Sequence, residues 1–225
     1  MDIFKQHEIF EIEVLQRMKS ARVLEPLVFG GGTMLRLCHE LPRYSVDLDF
    51  WFIKTVSQSD YFDKTRKAFE KNYEITDAQV THYTLLFELR SADYPKRLKI
   101  EIRRAIEDCD FLETIAFSKF ATKQVALKAH TLDQTMKNKI KAFLDRGEIR
   151  DCFDLEFLLR RGADLPSGAG IDFNKLVQKI KGFKDMDFKV KLGSILEAEF
   201  REYYVTNRFS YLEEKISLAV VNGRP

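Results

Sequence analysis

What most limits the fold of this chain is a short stretch around its only run of three glycines. Gly30-Gly31-Gly32 is followed by Thr33-Met34-Leu35-Arg36-Leu37, which reads as a short helix, and then, beyond Pro42, by strict alternation. Val46, Leu48 and Phe50 are apolar while Ser45, Asp47 and Asp49 are polar, the period of a strand with one buried and one acidic face. A second stretch repeats the pattern, with Leu98, Ile100 and Ile102 facing one way and Lys99, Glu101 and Arg103 the other. Residues 83–90 form another expected strand, joined to the last by the turn-rich Ser91-Ala92-Asp93-Tyr94-Pro95. Residues 5–24 carry Ile9, Ile12, Leu15 and Met18 on one helical face, and 60–72 look helical and charged.

From about residue 122 the pattern is helical, with breaks near Gly147, over 162–168 and near Gly182. The expectation is an α+β core over 1–120 and a helical C-terminal domain over 121–225. With 45% hydrophobic residues, 10 Gly and 5 Pro in 225, the chain can bury a core, which excludes disorder as its main state. The 37 Lys and Arg against 35 Asp and Glu leave a net charge of +2. No whole-molecule field attracts a polyanion, so any nucleic acid must be gripped locally. Cys38, Cys109 and Cys152 make no CxxC pair, and the four histidines make no HExxH, which excludes a disulfide framework and the familiar zinc motifs. The charged start and the lack of a long apolar run predict a cytoplasmic protein without membrane segments.

Three features together suggest chemistry. Period two sets Asp47 and Asp49 on one strand face, their α-carbons about 7 Å apart. Like charges so placed repel, and a cation resolves the conflict. Oxygen ligands suit Mg²⁺, which binds through one or two carboxylates and completes its shell with substrate phosphates. Glu101 on a neighbouring strand would supply a third ligand, and ions so held would serve phosphoryl or nucleotidyl transfer. Gly31 and Gly32 would let a triphosphate approach the helix N-terminus. Thr33 would offer its hydroxyl there, and Arg36 would pair with a phosphate or with the Asp strand. No Gly-Lys-Ser/Thr follows, so this is not a Walker loop.

The run GGGTMLRLCHELPRYSVDLDF, including Arg43 and Ser45, resembles the signature of the AbiEii/AbiGii nucleotidyltransferases, toxins of type IV toxin–antitoxin and abortive-infection systems in the polymerase-β-like superfamily. Lys128, in Val125-Ala126-Leu127-Lys128-Ala129-His130, and Arg150-Asp151-Cys152-Phe153-Asp154-Leu155 match further family positions, so the likeness spans roughly 26–160. It implies the minimal nucleotidyltransferase core, a small mixed sheet with flanking helices, followed by a helical domain, with the active site in the cleft between. It also implies Mg²⁺-dependent transfer of a nucleoside monophosphate from an NTP to a tRNA 3′ end or a protein, and a cognate antitoxin. Ser45 would join the nucleotide contacts. Lys128 falls on a helical stripe with Leu132, Met136 and Ile140, where it would touch the phosphates, with Asp151 or Asp154 orienting it or acting as a base; a buried Lys–Asp pin between helices is the alternative. Lys137, Lys139, Lys141 and Arg146 read as a solvated face that could guide RNA. A small-molecule nucleotidyltransferase and a non-catalytic nucleotide-binding module are the rival readings.

Overall fold

The structure, a computed structural model, describes residues 2–166 and 171–221. The chain divides into two compact units, Met1–Glu40 with Tyr44–His130, and Leu41–Arg43 with Thr131–Pro225.

The first unit is built on a seven-stranded mixed sheet in the order β3-β4-β5-β2-β1-β7-β6. Its strands are β1 (Leu27–Gly30), β2 (Asp47–Phe52), β3 (Glu74–Val80), β4 (Thr84–Arg90), β5 (Leu98–Arg103), β6 (Phe111–Phe117) and β7 (Gln124–His130). β2 runs parallel to β5, and β1 parallel to β7, while the other neighbours are antiparallel. Leu48, Phe50, Leu85, Phe87, Leu98, Ile100 and Ile102 are buried on one face. Helix α3 (Gln58–Glu70) closes over part of it, with Phe62 and Phe69 ring centres 4.8 and 5.5 Å from that of Phe87. The unit also holds α1 (Ile3–Ser20) and α2 (Gly31–His39). α1 is capped by Asp2, whose carboxylate accepts from the Phe4 amide at 2.8 Å, and Arg17 and Lys19 suit its negative C-terminal end.

β7 corrects the expectation of helix from residue 122. Val125, Leu127 and Ala129 are buried in period two, and the helix starts only at Leu132, where the Thr131 hydroxyl caps it by accepting from the Gln134 amide at 3.1 Å. β3 and β6 were not legible as strands. Both are edge strands with poor alternation, held by their single neighbours β4 and β7.

The second unit contains α4 (Leu132–Arg146), α5 (Ile149–Arg160), α6 (Phe173–Lys181), a π-helical turn (Asp187–Leu192), α7 (Ala198–Asn207) and α8 (Ser210–Val221). Gly147 ends α4 with φ +69°, a left-handed cap that glycine adopts without strain. α5 is buried from Asp151 through Leu158, and its Phe153 packs on Tyr204, which meets Phe209 and, through it, Phe188. The segment 41–43 joins this unit through a bridge of Arg43 with Leu196 and a Glu197 amide donating to the Pro42 carbonyl at 3.1 Å. The break over 162–168 opens at Gly162 with φ +88°, while Ser167 and Gly168 lie outside the described residues. Among the described residues no helix is long and apolar enough to cross a membrane.

Candidate active site

β2 turns Leu48 and Phe50 to the core and leaves Asp47 and Asp49 half-buried on the opposite face. α2 begins beside them, because Gly30 pairs with Asp49 across β1 and β2. Gly31 has φ +76°, and a Cβ placed on it would stand 2.3 Å from Asp49 Oδ2. Both the left-handed backbone and the seat of the carboxylate therefore need glycine here. At Gly30 a Cβ would lie 2.6 Å from the Trp51 ring and 2.7 Å from His130 Nδ1. The room that this glycine frees is filled by packed rings, not by a phosphate.

Two expected phosphate contacts have other partners. Thr33 is fully buried, and its hydroxyl donates to the Asp47 carbonyl at 2.6 Å, tying α2 to the first residue of β2. Arg36 is buried against α1, where its Nε donates to Glu8 Oε2 at 3.0 Å, and its guanidinium lies 4.9 Å from the Tyr44 ring centre. A charged group so enclosed is held by the acid that balances it. Behind β2, His7 Nε2 donates to the Val46 carbonyl at 2.9 Å, and Glu11 stands 3.5 Å from the same ring. Burial, with Glu8 nearby, pushes the Glu11 carboxyl well above its usual range. Gly32 is buried, whereas Gly31 and Ser45 are half-buried.

Glu101 sits on β5 in register with Asp49, and Lys99 in register with Asp47. Paired residues of parallel strands project to one side, so all four share a face. The Glu101 carboxylate is ion-paired with the Lys99 ammonium. Glu101 raises the lysine's pKa, burial opposes it, and the charges of Asp47 and Asp49 add to the rise. Among the described residues no three His, Cys, Asp or Glu side chains are gathered as a ready-made ion site. The predicted trio is thus a pair, Asp47 and Asp49, with Glu101 drawn to a neighbouring lysine. Two hard carboxylate donors, one seated in a glycine-cleared cradle, fit a divalent ion that takes its remaining oxygens from phosphate.

Lys128 lies apart from this face's acids. It belongs to β7, not to a helix, and its Nζ donates to the Glu25 carbonyl at 3.2 Å. Phe29 aligns with Ala129, so Lys128 is level with Val28 and Trp51, one step of the pleat further from Gly30 than His130. There it lines a surface depression of about 330 Å³ with Lys19, Arg22, Glu25 and Glu113. His130 packs on Trp51 with ring centres 4.8 Å apart, and burial lowers its pKa to about 4.

Asp151 and Asp154 have no solvent exposure. Asp154 accepts two hydrogen bonds of 2.6 Å from Arg43 and pairs with Lys139 at 2.6 Å. Asp151 accepts from Arg146 at 2.6 and 2.7 Å and from Lys139 at 3.2 Å. Burial alone would raise the Asp151 carboxyl, but Arg146 and Lys139 outweigh it and hold it below the usual range. The buried pin is therefore what the geometry contains, with Lys139 and not Lys128 as its lysine. Sequence reading missed Lys139 by placing it on a solvated face. The signal was there: it is three residues after Met136 and four before Phe143, both core residues. Arg146 reaches Asp151 from the exposed surface, where Lys137 and Lys141 also stand.

A profile of the family described as "Nucleotidyl transferase AbiEii toxin, Type IV TA system" matches residues 13–204. No curated protein matches the chain. Among solved structures, JHP933 from Helicobacter pylori superimposes with a TM-score of 0.53 at 20% identity, covering 95% of each chain. A nucleotidyltransferase candidate from H. pylori gives 0.54 at 20% identity, covering 93% of this chain and 96% of its own. MenT4, a nucleotidyltransferase toxin from Mycobacterium tuberculosis, gives 0.49 at 15% identity, covering 97% and 95%. At these identities the likeness to the two H. pylori structures concerns the fold alone.

Proposed function

The chain belongs to the AbiEii family of type IV nucleotidyltransferase toxins, and we propose that it moves a nucleoside monophosphate from an NTP to an acceptor hydroxyl with Mg²⁺ as cofactor. One observation carries the reading: Asp47 and Asp49 share a half-open strand face, and Asp49 sits against the glycine that begins α2. In the reaction the acceptor oxygen bonds to the α-phosphorus while the bond to the β-phosphate bridge breaks. Pyrophosphate leaves, and the acceptor gives up its proton.

Asp47 and Asp49 would hold the ion, which would polarise the phosphate oxygens of the bound nucleotide. Thr33 keeps the Asp47 backbone in place through its carbonyl. Gly31 and Ser45, half-buried nearby in the chain, line the nucleotide's phosphate tail. Asp151 and Asp154 act within the helical unit by fixing Arg43, which precedes Asp47 by four residues. In the cell the protein acts in the cytoplasm as a toxin checked by a separately encoded antitoxin, with a tRNA 3′ end or a protein side chain as acceptor.

The test is incubation with each α-labelled NTP, Mg²⁺ and either total tRNA or cell protein, beside Asp49→Ala. Label in one acceptor pool that vanishes in the variant supports the reading and names the acceptor class. No label with any NTP, or label that survives the substitution, overturns it.

A further inference from the structure

We propose that Lys99 is a tethered competitor of the divalent ion: its ammonium is paired with Glu101 and must release it before that carboxylate can serve as a ligand. The inference rests on the reading of Asp47 and Asp49 as the ion-binding pair. On this face β2 and β5 present a two-by-two grid of Asp47 beside Lys99 and Asp49 beside Glu101, three negative charges and one positive. The lysine could have turned the other way. Glu88 of β4 is its register neighbour on the opposite side. That carboxylate is already engaged, accepting from Thr76 Oγ1 at 2.6 Å and Arg97 Nη1 at 2.8 Å. Lys99 therefore turns along its own strand to Glu101.

The ammonium does for this face part of what an ion would do: it neutralises some of the negative charge and holds Glu101 in an ion pair. A divalent ion entering the same field would meet the positive charge of Lys99 on that face, and would gain Glu101 only by breaking an existing ion pair. Lys99 thus weakens the binding of a bare ion and reserves the third carboxylate until the ion arrives.

The experiment is titration of Mn²⁺ into the full chain, followed by loss of the free-ion paramagnetic resonance signal, for wild type, Lys99→Met, Lys99→Gln, Lys99→Arg and Asp49→Asn. Removal of the charge in Met and Gln should tighten binding about tenfold, the scale of one nearby unit charge in a solvent-accessible site. Lys99→Arg should match wild type. Thermal melts should show a larger gain on adding Mn²⁺ for the Met and Gln variants than for wild type, a comparison that also reports whether each is folded. Equal or weaker binding in Lys99→Met and Lys99→Gln overturns the inference and makes Lys99 a support for Glu101 or a bystander. A different result breaks the reading beneath it: if Asp49→Asn binds as wild type does, or if no form binds, Asp47 and Asp49 are not the ion pair and the role of Lys99 falls with them.

Discussion

Two clusters of acids and cations lie on this chain, and they differ chiefly in what surrounds them. In the helical unit Asp151 and Asp154 are fully enclosed, and Arg43, Lys139 and Arg146 meet their oxygens. In the sheet unit Asp47, Asp49 and Glu101 share a face with Lys99 and remain partly open to water. Desolvating an ion costs several kcal/mol, so an enclosed cluster persists only when its charges are matched and its hydrogen bonds completed. An open face tolerates an excess of negative charge, and that excess is what a cation and a triphosphate can use. Solvent access thus separates acids locked in a structural pin from acids left where a ligand could reach them.

The largest effect should come from the open cluster. Asp49→Ala should lower nucleotidyl transfer by roughly a thousandfold, the loss seen when a main electrostatic stabiliser of the transition state is removed. It should leave the melt followed by Trp51, the sole tryptophan, nearly unchanged. Asp154→Ala should do the reverse in kind, destabilising the protein to denaturant by about 3 kcal/mol because Arg43 and Lys139 lose a buried partner. If Asp154→Ala leaves stability intact, the contrast between the clusters is lost.

Acid should separate the units next. His130 has a folded pKa depressed from 6.5 to about 4, so its contribution is fully present above pH 6.5 and is lost as pH falls toward 4. The loss should approach about 3 kcal/mol, read from Trp51 fluorescence beside the ring, and His130→Gln should flatten it. Asp151, also depressed, contributes fully above the ordinary carboxylate range and loses that contribution only as pH falls through its lower folded value. Asp151→Asn should accordingly alter stability curves only in the more acidic window.

Smaller effects sharpen the seat of Asp49. Gly31→Ala forces a side chain into left-handed backbone at a cost of about 1–2 kcal/mol and crowds the Asp49 carboxylate. Transfer activity should therefore fall by more than stability does. Thr33→Val removes the bracket to the Asp47 carbonyl and should cost about 1 kcal/mol in denaturant melts. Unchanged stability there would remove Thr33 from the account of how β2 is placed.

Much of the open cluster was legible because it depends on local alternation. Val46 to Phe50 and Leu98 to Ile102 each declare a face, and side chains two apart on a strand must share it. The partners of those side chains were less legible. Thr33 and Arg36 have the chemistry of phosphate contacts, yet a carbonyl of β2 and a glutamate of α1 claim them. Lys128 was misplaced because its neighbours satisfy two periods at once. Spacing to Leu132 and Met136 suits a helix, while Val125, Leu127 and Ala129 suit a strand, and the Thr131 cap decides the boundary. Lys139 was overlooked because lysine is usually solvated, although its spacing to Met136 and Phe143 pointed inward.

From the sequence alone came the family signature, the α+β character of the first half, the helical end, and the shared face of Asp47 and Asp49, since each is written in short-range pattern or composition. Tertiary structure alone decided that Asp151 and Asp154 are enclosed, that Lys139 is their lysine, and that Glu101 is turned to Lys99. The reason is physical: periodicity fixes the side of an element on which a residue stands, whereas the worth of a charge depends on the water and counter-charges that folding removes or brings near.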